Sequence, residues 1–254
     1  MSVEPLPNVP AAVVDTGGER LLIIADYHAG IETVLQRDGV ELAGDGAGRR
    51  RRLLALIAEH SPDRLVILGD LVHAIGDLWD AERTELETLF GELSVPVTLV
   101  KGNHDGEIES AVGDFNHEIT VTPATGTTIG EVGFIHGHTW PDKTVLSCET
   151  LCVGHEHPVV RLEDSVGGAR KERVWLRGSC NPEPFQDHFE QVGEALQGAM
   201  PETLVVFPAF NDLSGGTWVN VEGQSFLSPF LPDAFADGEA YLLDGTRLGP
   251  YAHV

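Results

Sequence analysis

The first half of the chain alternates between short apolar runs and longer mixed segments. Residues 20–26, RLLIIAD, form an apolar run ending on a carboxylate, which predicts a buried strand. Residues 31–39, IETVLQRDG, predict a helix stopped by Gly39. Residues 41–48, ELAGDGAG, read as a loop, and 49–60, RRRRLLALIAEH, as a second helix that opens on four arginines. SPDRLVILGD (61–70) repeats the strand-then-carboxylate order, LWDAERTELETLFGEL (78–93) is an amphipathic helix, and VPVTLVKGNHD (95–105) is a third strand ending in polar residues. Strand alternating with helix predicts βαβ units and a parallel sheet. After about Glu118 the texture changes. EITVTPATGTTIGEVGFIHGH, TLCVGHEHPVVRLED, KERVWLRGS and TLVVFPAFNDLSGG predict strands separated by turns. An α/β half followed by a strand-rich half suits two packed sheets with helices outside.

Polar clusters stand at the ends of the apolar runs, where open α/β sheets collect their ligands. ADYHAG carries Asp26 and His28, GDLVH carries Asp70 and His73, and GNHDG carries Asn103, His104 and Asp105. HGHTW adds His136 and His138, and GHEHP adds His155 and His157. Seven of the eleven histidines fall inside these five clusters, which isolated core histidines would not do. Carboxylate, amide oxygen and imidazole form a mixed O/N ligand set suited to Mn²⁺, Fe or Zn²⁺. In VGHEHPV, alternate residues of extended chain point to one side, so His155 and His157 can face one object; a single ion held by both is the first expectation.

The 254 residues, 42% of them hydrophobic, suffice for a single domain over 1–254 with a short flexible segment at 1–10. No apolar run approaches a membrane span, and the N-terminus lacks the pattern of a signal peptide, so a cytoplasmic location is expected. Cys148, Cys152 and Cys180 are expected as reduced thiols; a zinc site joining Cys148 and Cys152 to the histidine pair is the rival reading. The formal net charge is -24, with acidic residues scattered along the chain. That pattern fits a surface adapted to concentrated salt, the alternative being an ordinary acidic protein. Arg49 to Arg52 could grip phosphates, although a solvated helix start is the simpler expectation. Arg37 could meet a substrate. His60, His117, His188 and His253 stand outside the clusters and are expected at the surface, and Asn211 with Gly215 and Gly216 could form a loop near the clusters.

Taken together and in order, the five clusters resemble the motifs of the calcineurin-like metallophosphoesterases. ADYHAGIE, GDLVH, GNHDG, HGHTWP, GHEHPVV and FPAFNDLSGG are similar to the ICC-like phosphoesterases, a group that includes the DNA-ligase-associated phosphoesterase, over residues from about 21 to near 249. The resemblance implies a four-layer α-β-β-α sandwich of two mixed sheets and two divalent ions, Mn²⁺ first, with Fe, Zn²⁺ or Ni²⁺ as alternatives. It implies Asp26, His28 and His157 at the first ion, Asp70 bridging, and Asn103, His136 and His155 at the second. His155 and His157 would then address different ions. His104 would act as general acid or phosphate contact, with Asp105 orienting it. His73 and Tyr27 depart from the commonest pattern; His73 and His138 are expected at the substrate or behind the ligands. The implied activity is hydrolysis of phosphodiesters, with monoesters as the alternative substrate class, by a metal-activated hydroxide, with a nucleotide or nucleic acid among the candidate partners. A nuclease acting in DNA repair and a non-catalytic binding module on the same fold are the alternatives.

Overall fold

The computed structural model describes residues 2–37, 39–40, 46–76, 78–163, 167–196 and 198–254. The expected sandwich is present. One sheet runs in the order β1 (Glu4–Pro5), β2 (Ala11–Asp15), β3 (Arg20–Ile24), β4 (Arg64–Leu68), β5 (Val97–Val100), β6 (Ile119–Thr122), and β3 to β6 are parallel. Helices α1 (Ile31–Arg37), α2 (Gly46–His60), α3 (Asp80–Glu92) and α4 (Ile108–Val112) connect them. The second sheet is built from β7 (Thr127–Ile129), β8 (Val132–Ile135), β9 (Thr150–Val153), β10 (Val159–Glu163), β11 (Ala169–Ser179), β12 (Thr203–Val206), β13 (Glu239–Leu242) and β14 (Arg247–Pro250). Its order is β14-β13-β11-β12-β9-β8-β7, with β10 paired to β11. Strands β8, β9 and β12 are parallel, and α5 (Glu183–Gln191) covers the outer face.

The period of two explains the layers. In β3, Leu22 and Ile24 pack under the helices, whereas Leu21 and Ile23 pack between the sheets. In β12, Val205 faces the other sheet, and Leu204 and Val206 face the α5 side. These strands are apolar on both faces because both faces are covered, which is why they read as continuous runs and not as alternation. No described helix is long and apolar enough to cross a membrane.

Four expectations change here. Residues 2–10 are not a free segment: Val3 and Leu6 are buried, and β1 pairs with β2. Helix α2 starts at Gly46, ahead of the arginines, and residues 41–45 lie outside the description. Arg49 is buried between Glu32 (2.9 Å) and Glu85 (2.7 Å) and lies over the Tyr27 ring, so it is neither solvated nor a phosphate grip. His117 bonds the Val95 carbonyl and His188 stacks on Trp140, so both are packed into the structure.

Candidate metal centre

The five clusters follow β3, β4, β5, β8 and β9, so parallel strands of both sheets deliver their polar C-terminal ends to one place. The loops are tied to each other by backbone bonds: His28 N–H donates to the Asp70 carbonyl (2.9 Å), Asp26 N–H to that of Gly69 (3.2 Å), and Ala29 N–H to that of Leu71 (2.8 Å). Close approach requires glycine at Gly102, where a Cβ would stand 2.2 Å from Asp70 Oδ1, and at Gly69, where it would strike the His136 ring. Asp26, His28, Asp70, His155 and His157 all hold left-handed backbone, with φ between 45° and 68°. Non-glycine residues rarely adopt it, and it gathers where a site over-determines the chain.

The donor atoms fall into two main groups. Asp26, His28 and His157 form one, and Asp70, His136 and His155 the other, each with its atoms within 4.8 Å of one another. Asp70 faces both: Oδ2 lies 3.9 Å from His28 Nε2, and Oδ1 lies 3.4 Å from His136 Nε2. Asn103 Oδ1 sits 3.0 Å from His136 Nε2. His28 and His157 therefore stand together (Nε2 to Nε2, 3.4 Å), whereas His155 belongs with the other group. Outer contacts aim the rings: His136 Nδ1–H donates to the Leu68 carbonyl (2.7 Å) and His157 Nδ1–H to that of Gly215 (3.0 Å), which leaves each Nε2 facing the carboxylates. A third grouping, His28, His73 and His104, lies at the mouth, with His73 Nδ1 3.2 Å from His28 Nδ1 and its ring stacked on that of His104.

Burial and charge set the protonation of these groups. Burial alone would raise the Asp26 and Asp70 carboxyls, but histidines outweigh it, chiefly His157 at Asp26 and His136 at Asp70, and both carboxylates stay below the usual range. Burial pushes His28 down to about 3 and His155 down to about 4. His136 goes the other way, up to about 9, because Asp70 and Asp26 overcome its burial, and Asp26 likewise raises His157. Without a bound cation, a proton on His136 offsets part of the charge of the two carboxylates, and Asp26 draws His157 toward its protonated form. The set of oxygen and nitrogen donors, with the Nε2 atoms of His28 and His157 opposed, fits divalent cations of the Mn²⁺, Fe and Zn²⁺ kind. No cysteine joins a donor group among the described residues: Cys148 and Cys152 are buried in the cores, which removes the cysteine–histidine zinc reading.

A cavity of about 510 Å³ opens over the donors, bordered by His73, His104 and the loop that follows β12. Two expected residues do not reach it. Asp105 does not orient the His104 ring; its carboxylate accepts from Leu71 N–H (2.9 Å), Val72 N–H (3.3 Å) and Gly102 N–H (2.8 Å), which locks the loop after β5 onto the loop after β4. His104 Nδ1 is instead bonded to the His73 carbonyl. Arg37 stacks on Trp79 at 4.2 Å and is absent from the cavity wall. His138 lies against His136 and His155, outside the donor groups, and its Nδ1 has no partner.

The sequence reading missed Glu156. It is fully buried and accepts bonds from Thr217 Oγ1, Leu227 N–H and Ser228 N–H, so it anchors the cavity's loop from beneath. No local pattern announced it: His155 and His157 both hold left-handed backbone, so the alternation of an extended chain does not apply between them. Asn211 is placed as a second anchor, donating to the Tyr27 carbonyl (3.1 Å) and accepting from Leu213 N–H (2.6 Å).

A nuclease named MPE from Pseudomonas putida shares the fold at a TM-score of 0.56 and 18% identity, over 97% of this chain and 100% of that one. The phosphoesterase YfcE from E. coli aligns over 57% of this chain and 74% of its own at 22% identity and a TM-score of 0.33. No curated protein matches the chain. The family model for calcineurin-like phosphoesterases matches residues 19–178, a span holding every donor described above. The chain belongs to the calcineurin-like phosphoesterase family, whose members hydrolyse phosphoesters with metal ions.

Proposed function

We propose that the protein is a dinuclear metal-dependent phosphodiesterase. The observation that carries this reading is the pair of donor groups joined by Asp70, whose two oxygens face opposite ways. Asp26, His28 and His157 would hold one ion, Asn103, His136 and His155 the other, with Asp70 shared between them. Two divalent cations bound there, Mn²⁺ first, would supply Lewis acidity to phosphoryl oxygens and a hydroxide nucleophile at neutral pH. His104, with Nδ1 fixed on the His73 carbonyl, turns Nε2 toward the cavity, where it contacts the phosphate or hands a proton to the leaving oxygen. His73 stacks on His104 and limits its tilt. His138 supports the rings of His136 and His155.

The test is turnover by protein loaded with Mn²⁺, comparing bis-p-nitrophenyl phosphate with p-nitrophenyl phosphate. Preference for the diester is expected; hydrolysis of the monoester alone removes the diesterase reading. The nuclease MPE aligned with nearly the whole chain makes nucleic acid the second substrate class to include.

A further inference from the structure

A second cavity, about 320 Å³, adjoins the one over the donors, and His157, Ser214 and Gly215 border both. One side of it is the β10–β11 pair. Arg161 stands opposite Lys171, and Val159 opposite Arg173. Directly opposed residues of two strands share a face, so Arg161, Lys171 and Arg173 point the same way. Trp218 bridges to Val159, and Lys171 Nζ lies 5.9 Å from its ring centroid.

The charge here departs from the rest of the chain. Lysine and arginine number 16 against 40 acidic residues, yet over positions 161–173 the four cations Arg161, Arg170, Lys171 and Arg173 outnumber Glu163, Asp164 and Glu172. Two carboxylates border the groove as well: Asp212 is shared between Arg173 (2.7 Å) and Arg52 (3.0 Å), and Glu172 pairs with Arg170 (3.3 Å). The pairs Arg161–Glu163 and Arg170–Glu172 are exposed and hold their partners weakly. Lys171 has no ion pair among the described residues. By contrast, no described lysine or arginine borders the cavity over the donors. A chain of phosphates with one group at the ions would meet its next cation in this groove.

We propose that the groove is a subsite for a single nucleic-acid strand: Lys171 and Arg173 take a phosphate next to the scissile one, and a base stacks on Trp218. A cation beside an aromatic platform is the combination that holds unpaired nucleotides. A duplex keeps its bases stacked away from such a ring. Placement next to a scissile phosphate rests on the phosphodiesterase reading above.

The experiment titrates the full chain with a fluorescein-labelled ten-residue oligothymidylate, in EDTA and at several KCl concentrations, and reads anisotropy. Wild-type protein is expected to bind. Lys171→Glu and Trp218→Ala should each weaken binding roughly tenfold, with thermal unfolding confirming that both fold. Lys171→Glu should also flatten the slope of log affinity against log salt by about 0.7, the share of one phosphate in a single strand, while Lys171→Arg keeps the slope. No binding by wild type, equal binding by all variants, or preference for a duplex of the same length overturns the subsite. Turnover of bis-p-nitrophenyl phosphate by the wild type is scored separately. Its loss with strand binding intact sinks the phosphodiesterase reading alone, and turnover without strand binding sinks the subsite alone.

Discussion

Asp70 is the residue on which the proposed centre turns, and its neighbours show why a substitution there is read at both ions. It is buried, holds φ at 50°, and accepts the His104 N–H on Oδ1 (2.9 Å). Asp70→Asn keeps the shape and removes the charge. Metal analysis should find fewer than two ions per chain, with loss at both positions; retention of both at wild-type affinity contradicts the bridging role. His104 lies outside the two main groups, so His104→Ala should keep both ions and lower kcat by about 10²- to 10⁴-fold. Wild-type rates in that variant would exclude it as acid or phosphate contact. The protons provide a third check. In metal-free protein His136 is raised to about 9, so its stabilising contribution is full below 6.5 and is lost as the pH rises through 9. His28 and His155, depressed to about 3 and 4, favour the folded state above 6.5 and lose that contribution as the pH falls toward those values. Cations must displace the His136 proton. Calorimetry at pH 7 in two buffers of different ionisation enthalpy should therefore report proton release on Mn²⁺ binding, and affinity should climb from pH 6 to 9. Binding without proton release would contradict this protonation of the centre.

At the level of elements, two buried charged residues, Glu156 and Arg49, tie separate segments together, and neither set of contacts was legible in the sequence. Glu156 ties the loop from Thr217 to Ser228 to the strand end that carries His155 and His157. Removing it leaves three donors without their acceptor, of which the buried Ser228 N–H costs about 1–3 kcal/mol. Glu156→Ala should lower Tm and speed hydrogen exchange over residues 213–228 more than elsewhere; unchanged exchange there would show that the loop holds itself. Arg49 joins Glu32 of α1 to Glu85 of α3. Arg49→Ala strands two buried carboxylates and should destabilise the protein by about 3–5 kcal/mol in denaturant unfolding, whereas Arg49→Met should recover part of that loss. The contrast in legibility has a physical basis. Strands β3, β4, β5, β8, β9 and β12 advertise themselves because each is mainly apolar and five of them lead into donors. Arg49's partners lie 17 and 36 positions away, which no local pattern reports. Helix α5 buries only Phe185 and Phe189 on its core face, too short a periodicity to be noticed, and β1 is two residues long.

For the whole molecule, the net charge of -24 sets how the fold responds to its solvent. The sandwich buries its apolar residues in three clusters, and apart from a few buried carboxylates such as Asp26, Asp70 and Glu156 the acidic side chains are left nearer the surface, where they repel one another. The visible pairs, such as Lys143–Glu194 and Arg161–Glu163, are about half exposed and contribute little against that repulsion. Two explanations of the acidity then diverge with salt. In an ordinary acidic protein, screening is the main effect. The Debye length is already about 10 Å at 0.1 M and 3 Å at 1 M, so Tm should rise steeply and level off below about 0.5 M KCl. A surface adapted to concentrated salt goes on gaining stability beyond screening, and its Tm should keep rising to 2 M. We expect the second curve, with Mn²⁺-dependent turnover retained at 2 M KCl. A plateau below 0.5 M, or precipitation at 2 M, assigns the acidity to the ordinary case. Strand binding in the Lys171 groove would weaken over the same range, because it depends on the charges that salt screens. The stacking on Trp218 would persist. At high salt the Trp218→Ala defect should therefore exceed the Lys171→Glu defect, and the reverse order would place the groove's affinity in its charge alone.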